Sequence, residues 1–131
     1  MPADAPRLIA IADSSPAFLA AAANYVAGMP GYALAGTTAS MAEAVDMVEA
    51  VAPQILLLDL GSAPVRGMSA IREVKALPNA PAVIALALFY SEEIATEAKT
   101  AGAVALIGKE AFVSGLARAL SGLPLTLGRL P

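Results

Sequence analysis

Five short apolar runs recur along the chain, and each is followed by a longer stretch in which apolar residues return at helical spacing. The first run, RLIAIA from Arg7 to Ala12, ends at Asp13. Ser15-Pro16 then supplies an N-cap and a first-turn proline for a helix through about Ala27, closed by Gly28, with Phe18, Ala22 and Tyr25 or Val26 on its inner face. YALAGT, Tyr32 to Thr37, predicts a second strand. Ser40-Met41-Ala42-Glu43 has the capping-box pattern and opens a helix in which Met41, Val45 and Val48 fall at helical spacing, ended by Pro53. Gln54 to Leu58 is the third strand, and the helix after it is predicted from about Met68 to Ala76, with Ile71 and Val74 inward, stopped by Leu77-Pro78-Asn79-Ala80-Pro81. Ala82 to Ala87, Glu92 to about Ala101 ending at Gly102, Val104 to Ile107, and Phe112 to Leu120 complete the series as strand, helix, strand and helix.

Strict alternation of short strands with helices calls for a parallel sheet covered on both faces, and right-handed crossovers limit the strand orders available. In such sheets ligands sit beyond the carboxyl ends of the strands, where the strand order reverses. Those ends carry the chemistry here: the first strand delivers Asp13, the third Asp59 and the fifth Lys109.

Composition narrows the chemistry. At 131 residues the chain fits one domain. Eight basic against 11 acidic residues, net charge -3, lack the electrostatic footprint of nucleic-acid binding. With no cysteine and no histidine, disulfides, thiol catalysis, the usual zinc sites and histidine general bases are excluded together. A hydrophobic fraction of 58% and a mean hydropathy of +0.71 raise the question of a membrane span in the uncharged stretch Ser14 to Ala42. Pro16, Asn24, Gly28, Pro30 and Gly31 break that stretch well short of the roughly 20 residues a span needs. Asp13 interrupts any secretory-signal core after Arg7, so a cytoplasmic location is expected.

Taken singly, Asp13 reads as a turn cap, Asp59 as an Asx turn and Lys109 as a solvated loop charge. Taken together, two carboxylates at one edge repel unless a cation lies between them, and Mg2+ takes such oxygen ligands while leaving positions for a phosphate. Asp13 in IADSSP, Asp59 in LLLDL, Gly67 eight residues later, Pro81, Ala101-Gly102-Ala103 and Lys109 form a combination that resembles a response-regulator receiver domain of two-component signalling, over about Arg7 to Leu120. Pro16 and the Lys109-Glu110 pair, where many receivers have Lys-Pro, lean towards the receivers of LuxR-type regulators. The resemblance implies a flavodoxin-like α/β fold: a doubly wound, five-stranded parallel sheet of order 2-1-3-4-5 with helices on both faces. It implies a domain over residues 1-122, with 123-131 a C-terminal tail or truncated linker. It also implies Asp59 as phosphoacceptor, Lys109 as the phosphoryl counter-charge, Asp13, Asp59 and the Gly61 carbonyl as Mg2+ ligands, and Gly67 opening the third helix.

Four positions depart from the family's pattern. Ser14 stands where a second metal-binding acid is expected, and Ala87 where a hydroxyl should meet the phosphoryl oxygen; Leu106 replaces the switch aromatic, and Ala63, with Pro64 one place later, replaces a proline. Loss of one charge-assisted ligand or donor costs about 1.5–3 kcal/mol, so Mg2+ binding should be weak and phosphorylation slow or poorly read. Two readings follow: a receiver that accepts phosphate on Asp59 from a histidine kinase or phosphotransfer protein, or a pseudo-receiver acting by dimerisation or partner contact without phosphate. A flavodoxin-like small-molecule binder would need a glycine-containing phosphate cradle, absent from Asp13-Ser14-Ser15-Pro16, and hydrolysis through Ser14 or Ser15 lacks a base. A phosphoacceptor signalling domain and not an enzyme is therefore expected, with Lys109 paired to Asp59 in the unmodified protein. Ala20, Ala21, Ala23 and Ala27 are expected to face outward on the first helix and to admit a partner helix or a second copy.

Overall fold

Apolar residues alternate along the strands of the computed structural model, which describes residues 5–123, and the alternation divides the core in two. The elements are β1 (Arg7–Ala12), α1 (Pro16–Ala27), β2 (Tyr32–Thr38), a 3-10 turn at Met41–Glu43 leading into α2 (Ala44–Val51), β3 (Ile55–Asp59), α3 (Pro64–Lys75), β4 (Ala82–Ala87), α4 (Glu92–Ala101), β5 (Ala105–Gly108), and a second 3-10 turn at Lys109–Ala111 before α5 (Phe112–Ser121). Every strand pair is parallel and the order is β2-β1-β3-β4-β5, as the resemblance implies.

Ile9, Ile11, Ile55, Leu57, Ile84, Leu86 and Ile107 face α1 and α5, while the residues between them, including Ala10, Leu56, Leu58, Val83 and Ala85, face α2, α3 and α4. All four aliphatic residues of β3 are fully buried, each contributing about 1.5–3 kcal/mol by leaving water. A strand held this firmly on both faces fixes its last residue, Asp59. β1 lies flush beside it, with Ala12 paired to Leu58, so Asp13 emerges level with Asp59. Ala87 pairs with Gly108 across β4 and β5, which brings Lys109 out at the same edge. Asp59 continues the α1/α5-facing parity of Ile55 and Leu57, and Asp13 and Lys109 follow two residues after Ile11 and Ile107 of that face. No helix among the described residues is long and apolar enough to cross a membrane.

Several boundaries differ from expectation. α3 begins at Pro64, four residues before Met68, because a proline at the first helical position has its φ already set and loses no hydrogen bond there. Gly67 therefore lies inside the first turn of α3 and does not open it. The capping box at Ser40 does not form: the Thr38 hydroxyl accepts from the Ser40 N–H at 3.0 Å, no Ser40 side-chain cap bond is made, and the chain enters α2 through the 3-10 turn. Asp59 belongs to β3 itself, and β5 starts at Ala105, one residue later than predicted. On α1, Ala20, Ala21 and Ala27 are exposed, but Ala23 is half-buried against the α1/α5 core, and Tyr25 is exposed while Val26 is buried. Leu123 packs into that same core, and residues 124–131 lie outside the described residues.

Gly67 is required for a steric reason. A Cβ there would lie 2.6 Å from Leu60 Cδ2 and 2.7 Å from Leu60 Cα, and the second of these is backbone that cannot swing away. Gly67→Ala is expected to lower stability by roughly 1–3 kcal/mol through overpacking, in spite of alanine's better helix propensity. Urea unfolding followed by far-UV circular dichroism measures it; an unchanged or higher midpoint would mean that the loop at Leu60 moves freely.

Candidate functional site

β3 ends in Asp59, and the next residues turn sharply through Gly61, whose φ of +70° is a left-handed conformation that glycine adopts without a Cβ clash. The turn folds the Gly61 N–H back onto Asp59 Oδ1 at 3.0 Å. From the neighbouring strand end, Ser14 donates to Asp59 Oδ2 through its hydroxyl at 3.0 Å and, more weakly, through its N–H at 3.4 Å. Asp13 accepts the Ser15 N–H on Oδ1 at 2.8 Å, an Asx-type turn that aims its carboxylate at the same edge. Ser15 in turn caps α1, its hydroxyl accepting from the Phe18 N–H at 3.4 Å, as the sequence predicted.

Lys109 completes the cluster. Its ammonium lies 2.8 Å from Asp13 Oδ2, 3.1 Å from Asp13 Oδ1 and 3.3 Å from Asp59 Oδ1. The expected partner was Asp59, but the tighter contact is with Asp13. The ammonium also stands 4.6 Å from the centroid of the Phe18 ring, which itself meets Phe112 edge-on at 5.2 Å. A cation over an aromatic face is attracted by the ring's quadrupole, so Phe18 helps hold the lysine between the acids. Asp13 is fully buried and Asp59 is 4% exposed. The three residues singled out at the strand ends thus form one cluster, two buried carboxylates with a partly exposed ammonium between them.

Two carboxylates suit a hard cation, and Asp13 Oδ2 accepts no hydrogen bond among the described residues. Against that, the ammonium already faces this oxygen, and no group of three or more His, Cys, Asp or Glu side chains converges among the described residues. The donor set of Asp13, Asp59 and Gly61 fits a weak divalent site that a cation must share with Lys109.

The departing positions are accounted for in physical terms. The Ser14 hydroxyl is engaged on Asp59, not held free as a metal ligand. Ala87 and Leu106 both pack with the core on the α2/α3/α4 side, the opposite parity from Asp59. The hydroxyls nearest Ala87 are engaged locally: Ser91 caps α4, accepting from the Ile94 N–H at 3.1 Å, and the Tyr90 hydroxyl is 3.3 Å from Glu92. Glu110, in the place of the usual proline, accepts the Tyr90 N–H at 3.3 Å and ties the end of β5 to the β4–α4 loop. Sequence reasoning did not foresee that bond or the place of Arg66, which lines a cavity of about 210 Å³ together with Ser14, Asp59 and Gly61. A basic residue beside the steric contact of Gly67 was the available signal.

The response regulator receiver domain model matches residues 9–121. Among solved structures, the signal receiver domain of the response regulator NarL from Mycobacterium tuberculosis is similar at 17% identity and a TM-score of 0.78, over 89% of this chain and 94% of that one. A LuxR-family two-component response regulator from an Aurantimonas species is similar at 22% identity and a TM-score of 0.74, over 90% and 87% of the two chains. CheY of Borrelia burgdorferi, solved in a complex with CheX, BeF3 and Mg2+, is similar at 17% identity and a TM-score of 0.72, over 88% and 90%. No match was found among curated protein sequences. The family model takes in the sheet from Ile9 onward and every helix through Ser121, and the chain belongs to the response regulator receiver domains.

Proposed function

We propose that this chain accepts a phosphoryl group on Asp59 from a histidine kinase or a phosphotransfer protein, at a rate limited by its altered site. The observation that carries the reading is the position of Asp59, bridged on Oδ1 to the half-buried Lys109 and lining an open cavity. In the transfer step an Asp59 oxygen forms a bond to phosphorus while the bond from phosphorus to the donor breaks, its electron pair leaving with the imidazole nitrogen or, for acetyl phosphate, with acetate. Little of this depends on a protein acid or base, so the chain's task is to place charge. Lys109 contacts the other carboxylate oxygen, Oδ1, and balances the charge delivered when Oδ2 forms the acyl phosphate. Mg2+, held by Asp13, Asp59 and the Gly61 carbonyl, would supply the remaining neutralisation.

Ser14 opposes the step. Its hydroxyl hydrogen bond spreads the charge of Asp59 Oδ2 and must be released or redirected before that oxygen attacks. This contact, together with Ala87 and Leu106, favours the second reading, a phosphorylation-independent pseudo-receiver that works through protein contact or dimerisation. In either reading the exposed Ala20, Ala21 and Ala27 of α1 offer a close approach to a partner helix or a second copy, and the acidic chain does not itself hold nucleic acid. A cytoplasmic place suits both.

Incubation with acetyl phosphate and Mg2+, followed by intact mass, separates the two readings. Slow gain of one phosphoryl group by the native chain and none by Asp59→Asn is expected; a native chain that never gains mass is a pseudo-receiver.

Ser14→Asp is expected to tighten Mg2+ about tenfold or more, since a carboxylate in place of a neutral hydroxyl adds a charge-assisted ligand. Amide shifts during an Mg2+ titration report the affinity, and equal affinities would show that an unrecognised ligand already compensates.

The two buried carboxylates outnumber the ammonium, which leaves the cluster with one uncompensated negative charge. Asp59→Asn is therefore expected to raise stability by about 1 kcal/mol, whereas Lys109→Met strands both acids and lowers it by roughly 3 kcal/mol. Urea midpoints measure both, and opposite signs for either variant would contradict this charge balance.

A further inference from the structure

The cavity beside Asp59 holds a second cation that the acidic cluster does not use. Neither Lys109 nor Asp13 lines it; its polar side chains are Asp59, Ser14, Ser62 and the guanidinium-bearing Arg66, set among apolar walls such as Met41 and Leu60. Arg66 is exposed, and its side chain makes no hydrogen bond or ion pair among the described residues. Lys109 by contrast is committed to two carboxylates. At about 210 Å³ the space exceeds one water's share of about 30 Å³ several-fold, enough for a small phosphoryl-bearing anion.

Arg66 is also held in place. Its N–H donates to the Ala63 carbonyl at 3.0 Å, and its neighbour Gly67 is packed directly on Leu60, the residue after Asp59. The backbone from which the guanidinium extends is therefore fixed relative to Asp59. The side chain remains free to turn into the cavity.

We propose that Arg66 is a phosphoryl-binding residue that captures the anionic end of the phosphodonor over Asp59 from the α3 side. A guanidinium fork binds two phosphoryl oxygens at once, which a lysine or a hydroxyl does not. This inference rests on the phosphoacceptor reading for its biological meaning but concerns anion binding in the cavity, which is measured separately.

Two measurements test it on the full chain, each with the native protein, Arg66→Ala and Arg66→Lys. In acetyl-phosphate labelling with Mg2+, followed by intact mass, Arg66→Ala is expected to slow the reaction about threefold to tenfold, in the range of one partly solvated charge contact, and Arg66→Lys to recover part of it. The native rate should also fall more steeply with added salt than the Arg66→Ala rate. In the second measurement, inorganic phosphate is titrated against the amide signals of Gly61 and Ser62, which should shift in the native chain and shift much less in Arg66→Ala. An unchanged urea midpoint in Arg66→Ala shows that any loss is not one of folding. Equal labelling rates in native and Arg66→Ala chains overturn the proposal and leave Asp59 as acceptor. If the native chain takes no label, the acceptor reading fails and the phosphate titration alone decides: shifts that depend on Arg66 support the proposal, and shifts equal in Arg66→Ala overturn it.

Discussion

Two carboxylates buried side by side at the end of a parallel sheet are costly, and the ammonium of Lys109 makes the arrangement tolerable. Much of the surrounding structure serves to bring that ammonium there. β5 lies at the edge of the sheet, two strands away from β3, so the lysine must reach past the end of β4 to meet both acids. Phe18 of α1 presents its ring to the ammonium, and Phe112 at the start of α5 supports the ring from its side. The charge cluster and the packing of α1 against α5 are thus parts of one assembly. Under the proposed reading, a phosphoryl group or a divalent cation at this edge would change the charge that Lys109 balances, and Phe18 of α1 lies against that ammonium.

The fold was largely legible in the sequence because burial on both faces leaves little choice. Ile55 to Leu58 has no polar position at which to meet water, and the five repeats of strand and helix admit few strand orders. Boundaries were less legible where side chains compete for the same backbone group. Ser40 looked like a cap, yet Thr38 bonds its N–H first; Pro64 started α3 before the apolar periodicity became visible. Within the site, Asp13, Asp59 and Lys109 could be named from their places at the strand ends. The closer attachment of Lys109 to Asp13, the use of the Ser14 hydroxyl on Asp59 and the position of Arg66 could not, since each depends on side-chain torsions and distances that spacing does not encode.

The altered positions fall on two sides of the sheet. Ser14 acts on Asp59 directly, whereas Ala87 and Leu106 pack together with the α2/α3/α4 core. Under the proposed phosphoacceptor reading, a change at the first would bear on loading of Asp59, and changes at the other two on how a loaded state would be transmitted to α4 and β5, because a methyl group offers no donor and an aliphatic chain no ring to reorient. Glu110 adds a tether of its own between the β5 end and the β4–α4 loop, in the segment where the exposed Leu88, Phe89 and Tyr90 lie.

The contact between Gly67 and Leu60 separates what this scaffold can lose from what it must keep. At position 67 any side chain meets main-chain atoms, so variation there is paid in folding, whatever the chain does. Exposed Ser14 and half-exposed Ala87 meet no such main-chain obstruction, whereas Leu106 is part of the α2/α3/α4 core and can vary only among side chains that fill that space. A chain of this kind can therefore wander far in signalling chemistry over evolutionary time with its architecture unchanged, and a preserved architecture by itself says little about whether the chemistry has been kept.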